Sequence, residues 1–216
     1  MFELIQKGGP VMYPLLACSV CVLTIIIERA LFWIILNRRH NSRLINEVLE
    51  ICRKGDWELV KKKTIGSKDY AIRVLVSGIV HRKFSMTKAM EVAAIQEIVK
   101  MRRGIGVLDT MITVAPLLGI LGTVIGIILS FEMLATEGID NPQAVTGGIA
   151  QALITTAAGL SIAILAVIPF NYFNVKVEQA VQTMEQYATS LEIVYEKLPP
   201  ESANGDANEE TNGDSL

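Results

Sequence analysis

The sequence predicts an all-α integral membrane protein: three transmembrane helices with long cytoplasmic helical extensions. Three observations carry that prediction. The chain has 216 residues, of which 51% are hydrophobic, and its mean hydropathy is +0.41, too apolar for an ordinary water-soluble domain. Three segments, about 11–36, 107–134 and 147–174, are long enough to cross a hydrocarbon core of about 30 Å as helices. The cations are segregated: of 20 Lys and Arg residues, all but Lys7, Arg29, Lys176 and Lys197 lie between Arg38 and Arg103.

Gly8-Gly9-Pro10 is a breaker ahead of the first span. Val11 to Leu36 is too long and uninterrupted for the apolar core of a signal peptide, and no small-x-small cleavage site follows, so it is expected to stay as an anchor. Glu28 and Arg29 lie in its last third and are expected at the interface, where Arg29 can reach water and Glu28 can pair with it. Cys18-x-x-Cys21 sits on an apolar helix and Cys52 stands apart. Packing is the expected role of Cys18 and Cys21, and the three cysteines offer no disulfide framework or zinc site.

Arg38-Arg39-His40 marks the exit from the bilayer and opens a cytoplasmic helical loop, 37–106. Leu44, Val48, Leu49 and Cys52 recur at helical spacing before Gly55, a stop signal. Tyr70 to His81 is a second helix, with Ile72, Val76, Ile79 and Val80 on one side, too short to span. His40 and His81 have no companion at ligand spacing and read as solvated, so no metal is expected. From Ser85 a helix is expected to begin in the cytoplasm and continue into the second span, easing at Gly104 and Gly106. Lys100, Arg102 and Arg103 mark where it enters the bilayer.

The second span is more than a lipid anchor. At 100° per residue, Pro116, Gly119, Thr123, Gly126 and Ser130 form one stripe, with Gly122 close by. Leu118, Leu121, Ile125, Ile128 and Leu129 mostly occupy the remainder. Small residues at that spacing let another helix approach closely, and the hydroxyls can bond across the contact or to water. Helix packing and a polar conduit are both consistent with such a stripe. The third span matches it: Gly148, Gln151, Ala152, Thr155, Gly159, Ala163 and Ala166 fall within about 120°, with Thr156 on the flank. The two faces are expected to meet each other, or to surround a shared axis in an oligomer. Pro169 is a candidate kink near the inner end.

The loop from Thr136 to Thr146 contains Glu137 and Asp140 but no cation. The positive-inside rule therefore puts this loop and the N-terminus outside, and the basic loop and C-terminus inside. Residues 176–198 form an amphipathic cytoplasmic helix, expected on the helix from Ser85 or on a neighbouring subunit. An acidic, apolar-poor tail, 199–216, is expected to be disordered. There is one membrane domain, 1–198. Nothing points to nucleic acid, to a cofactor or to enzymatic chemistry: no basic stacking surface, nucleophile constellation or metal-ligand cluster is present.

Arg102-Arg103-Gly104, then Ala115 to Gly126 (APLLGILGTVIG), then Gly148 to Leu160 (GIAQALITTAAGL) resemble the signature of the MotA/TolQ/ExbB proton-channel family, nearest its ExbB and TolQ branch. The resemblance implies an inner-membrane subunit of bacteria that assembles as a homo-oligomeric ring, a pentamer in that family. The ring surrounds single-span partners of the ExbD or TolR kind. Proton flow between ring and partner would energise a TonB- or TolA-like periplasmic transducer. It also implies pore-facing roles for Thr123 and Thr156. A family glutamate five residues before the second threonine is Gln151 here, which cannot titrate. Thr123, Thr155 and Thr156, with Gln151 as neutral lining, could hold a water file without fixing a charge. The acid that couples proton movement to work is then expected from an Asp on the partner helix. Pro116, Gly119, Gly122, Gly126, Gly148 and Gly159 are the expected packing and partner-docking positions. A membrane scaffold and a secondary-transporter subunit are the alternatives. The first leaves the paired threonines unexplained, and the second would call for inverted repeats that are not found.

Overall fold

The computed structural model describes residues 8–137 and 142–198, with side chains placed for 8–136 and 146–198. The acidic tail, the first seven residues and the middle of the acidic loop, 138–141, lie outside the described residues. The described residues form seven helices: α1 (Met12–Arg39), α2 (Ser42–Arg53), α3 (Trp57–Thr64), α4 (Tyr70–Val80), α5 (Met86–Arg102), α6 (Ile105–Glu137) and α7 (Pro142–Glu196). Three helical stretches are long and apolar enough to cross a membrane: α1, the run that holds α6, and α7. Of the residues in their most apolar parts, only 17% to 22% are buried. A water-soluble fold would cover such surface; here it is left for lipid or for other chains.

The chain divides into two compact units. The first comprises residues up to Phe32 and 103–175. Its centre is a small cluster of Val11, Met12, Leu15 and Ala115, against which Leu118, Ile125, Ala158 and Ile162 pack. That brings the start of α1 onto α6 and α7. The breaker before α1 behaves as the sequence predicts, with Gly9 at φ +68°. Arg29 differs from expectation: it is only 2% exposed. Its guanidinium pairs with Glu28 and lies 4.6 Å over the Phe32 ring. A buried guanidinium needs a counter-charge; the Glu28 carboxylate provides it, as the sequence expects, and the Phe32 ring face adds a cation–π contact.

The second unit comprises residues 33–102 and 176–198 of the described chain. Each of its short helices starts on a side-chain cap: Asn41 accepts from the Leu44 amide at 3.2 Å, Asp56 from Leu59 at 3.0 Å and Asp69 from Ala71 at 2.9 Å. Gly55 and Gly66, both at positive φ, turn the chain between them. In α2 the buried residues are Ile45, Val48, Ile51 and Cys52, one position round from the expected stripe. In α4, Val74 and Leu75 are buried and Val80 is exposed, because α5 packs along that side. A Cβ on Gly78 would fall 2.5 Å from Met90 Cγ, so the α4–α5 contact is close. Glu97 is buried between Arg73 and Lys100, each at 2.8 Å, which joins α4 to α5 by charge as well. Cys52 is fully buried, and burial pushes its thiol up to about 12; it is a packing residue.

His40 is not simply solvated. It stacks on Tyr70 with ring centroids 5.4 Å apart, and its Nδ1 lies 3.2 Å from the buried Asp69 carboxylate. The C-terminal part of α7 packs in this unit beside α5, as one of the two expected placements has it. Thr87 donates to Glu192 at 2.6 Å, Tyr195 donates to the Arg82 carbonyl at 3.3 Å, and Val177, Met184, Leu191 and Val194 are buried. α7 runs through Pro169 as one helix. By contrast, the helix from Ser85 does not run on into the second span: it ends at Arg102, and α6 starts after a turn in which Gly104 has φ +77°.

Candidate functional site

The site lies where α6 meets α7 in the first unit. Every glycine that the sequence singles out there is buried in the contact. A Cβ on Gly119 would fall 3.1 Å from the Thr155 carbonyl oxygen and from Thr156 Cα; one on Gly126 would fall 2.8 Å from the Gly148 oxygen and 2.9 Å from Ala152 Cβ. On Gly159 it would come within 2.5 Å of the Ala115 oxygen. On Gly122 it would run into the Thr155 side chain, and on Gly148 into the Ser130 hydroxyl. The two small faces therefore meet within a single chain, backbone against backbone, as close-packed membrane helices do. Pro116 lies within α6; its missing N–H leaves a carbonyl one turn earlier without its helical partner.

The four polar residues occupy different positions. Thr155 is 0% exposed, and its hydroxyl donates to the Ala152 carbonyl at 2.8 Å. Thr156 is half-buried and donates across the contact to the Gly119 carbonyl at 2.9 Å. Thr123 is half-buried on α6 and donates to Ile120 O at 2.6 Å. The Gln151 amide lies against Gly9, where an added Cβ would collide with it. Thr155 and Thr156 are thus adjacent in sequence but differ in access: one is enclosed between the helices, while the other is half open and tied to α6. Sequence reasoning missed Ala115, fully buried with its carbonyl against Gly159, and the contact between Gln151 and Gly9. Ala115 carried a signal, since a small residue next to Pro116 continues the stripe. The Gly9 contact carried none, because nothing local links residues that far apart.

The chemistry of the site is that of hydroxyls and backbone carbonyls. Between Thr110 and Phe131 there is no charged side chain, and Asp109 and Glu132 beyond the two ends are exposed. A hydroxyl donates and accepts at once, so such a surface can order water or a protonated partner without binding either tightly. Among the described residues, no group of three or more His, Cys, Asp or Glu is placed to hold a metal.

Comparison with known proteins bears on the same elements. Residues 68–186 match the profile of the MotA/TolQ/ExbB proton channel family. A putative biopolymer transport protein, ExbB-like 1, of Synechocystis sp. is 38% identical over 204 residues, which cover 89% of this chain and 78% of the relative. ExbB-like 3 of the same organism is 32% identical over 198 residues, covering 89% and 94%. The Tol-Pal system protein TolQ of Pseudomonas aeruginosa is 37% identical over 109 residues, about half of each chain. The matched region runs from the start of α4 to the C-terminal part of α7, and so takes in both threonine-bearing helices and the glycine contact between them. With three membrane-length helices and this match, the chain is a multi-pass membrane protein that belongs to the MotA/TolQ/ExbB proton channel family.

Proposed function

We propose that this chain is the channel-forming stator subunit of a proton-driven motor in the bacterial inner membrane. Copies assemble as a ring, five in the branch that the sequence resembles, around an ExbD- or TolR-like single-span partner. Protons pass between ring and partner, and the resulting motion energises a TonB- or TolA-like transducer in the periplasm. The N-terminus lies outside and the C-terminus inside. The observation that carries the reading is the pairing of two half-buried threonines, Thr123 and Thr156, with a span free of titratable groups, in a chain of this family.

The division of labour follows from the energetics. One elementary charge falling through 100 mV releases about 2.3 kcal/mol, no more than a few hydrogen bonds. A path that bound protons firmly would stall. Hydroxyls alone, however, cannot couple passage to movement, because their charge never changes. Coupling needs a group whose desolvation cost switches by several kcal/mol on protonation, such as a buried carboxylate. In this reading the partner's transmembrane Asp is that group, Thr123 and Thr156 face it, Thr155 stiffens the contact behind them, and Gln151 is a neutral lining at the outer end.

Reconstitution in liposomes tests this. The purified protein alone should conduct few protons, and flux should appear with the partner. Thr123→Val combined with Thr156→Val should abolish gradient-driven work while the complex still copurifies; Gln151→Leu should be milder. Robust flux without a partner, or full work from the double variant, would refute the reading.

A further inference from the structure

We propose that Asp109 releases protons at the inner end of the path. Its carboxylate, on α6, takes up each proton after Thr123 and Thr156 and gives it to cytoplasmic water. This rests on the channel reading and the orientation proposed above, and adds to them a titrating group that the chain itself supplies.

The depth of Asp109 carries the argument. It is the only charged residue on α6 before Glu132. Contacts within the first unit fix how the helices are levelled against one another. The Gly104 turn is level with Ile25 and Arg29 of α1, since a Cβ there would fall 3.5 Å from Ile25 Cγ2 and 3.9 Å from Arg29 Nε. Glu28 and Arg29 are the first charges that α1 carries. Asp109 stands farther outward than Gly104, by about 7 Å along α6. On the other side Gly159 of α7 packs on Ala115, and Asp109 lies about 9 Å inward of that contact. The same step along α7 reaches Leu165, and α7 runs about three more turns before its first charge, Lys176. Asp109 is therefore an acid at a depth where neither neighbouring helix carries a charge.

An ionisable group at such depth is costly against lipid, and it faces water or a protein interior instead. Asp109 is exposed on its own chain, and its surroundings on α6 suit water. Thr113, exposed one turn outward, donates to the Asp109 carbonyl at 3.4 Å, which leaves its own oxygen free to accept. Pro116, on the next turn, has no N–H and so frees the Ile112 carbonyl. Asp109, Thr113, Pro116, Ile120 and Thr123 share an arc of about 80°, with Ile120 the one large apolar member. The arc runs beside the glycine contact with α7 rather than inside it, and so stays open from Thr123 inward. The proton balance is simple. The partner's carboxylic acid gives its proton to water on this arc and becomes a carboxylate. Asp109 takes a proton from that water and becomes neutral, then loses it to the cytoplasm and regains its charge.

The test uses the complex extracted with its copurifying single-span partner and reconstituted in liposomes that trap a pH-sensitive dye. A potassium diffusion potential drives proton flux. Asp109→Asn keeps the size and hydrogen bonding of the side chain but cannot titrate. It should cut the flux several-fold while the partner still copurifies. Asp109→Glu should keep most of the flux. Sodium azide, whose acid form is a small proton carrier, should restore flux through the Asp109→Asn complex, read above empty liposomes in the same azide. An Asp109→Asn complex that conducts like the wild type would overturn the proposal. So would a loss that azide does not restore and that Asp109→Glu shares, since that marks a packing role. Absence of flux through the wild-type complex would overturn the channel reading itself, and this proposal with it.

Discussion

At the scale of single residues, what matters most is the absence of side chains. Gly119, Gly122 and Gly126 let α6 come so close to α7 that the Thr156 hydroxyl reaches the Gly119 carbonyl. The net worth of that bond is about 1 kcal/mol. Leucine at Gly126 would have to displace the Gly148 backbone and the Ala152 side chain, and overpacking of this kind costs about 1–3 kcal/mol. We expect Gly126→Leu to lower the thermal-unfolding midpoint of the detergent-solubilised protein and to cut the yield of assembled complex. Leu121→Ile, on the exposed side of the same helix, should change neither. Equal tolerance at both positions would show that the glycine face is not a contact. The positions of these glycines were legible in the sequence, because spacing alone puts them on one side. The different fates of Thr155 and Thr156 were not, since a difference of 100° around a helix decides access only once the partner helix is in place.

At the scale of elements, the informative feature is the turn between α5 and α6. Two glycines mark the region, and the sequence alone does not say which one turns the chain. Gly104 has φ +77°, while Gly106 lies in regular helix with open space about it. An L-residue at Gly104 must adopt the left-handed region, at a cost of about 1–2 kcal/mol. An alanine at Gly106 only gains helix propensity, worth up to about 1 kcal/mol. Gly104→Ala should therefore lower the unfolding midpoint and Gly106→Ala should leave it unchanged or raise it. The opposite order would place the turn elsewhere. The third span shows the converse: Pro169 is the candidate kink, and α7 continues through it as one helix to Glu196. A proline removes one bond from the helical ladder without having to end the helix, because the freed carbonyl can be satisfied by neighbouring groups.

For the whole molecule, the proposed orientation rests on the cations. With 16 of 20 Lys and Arg between Arg38 and Arg103, the positive-inside rule is the argument for proposing that this block faces the cytoplasm. In intact spheroplasts lacking the native cysteines, a cysteine at Gln143 should react with a membrane-impermeant maleimide, while one at Lys61 should react only after lysis. The reverse pattern would overturn the proposed topology.

The sequence by itself determined the class of the protein, its three membrane-length helices, the small-residue faces and the family, because each of these depends on composition or on residues close together in the chain. Only the tertiary structure decided that the two small faces meet within one chain, that Thr155 is sealed while Thr156 is half open, and that Gln151 rests on Gly9. It also decided that His40 stacks on Tyr70 beside Asp69, and that Arg29 is buried. The reason is physical. Helical periodicity fixes which residues share a side, but burial depends on what packs against that side, and the partners come from elsewhere in the chain.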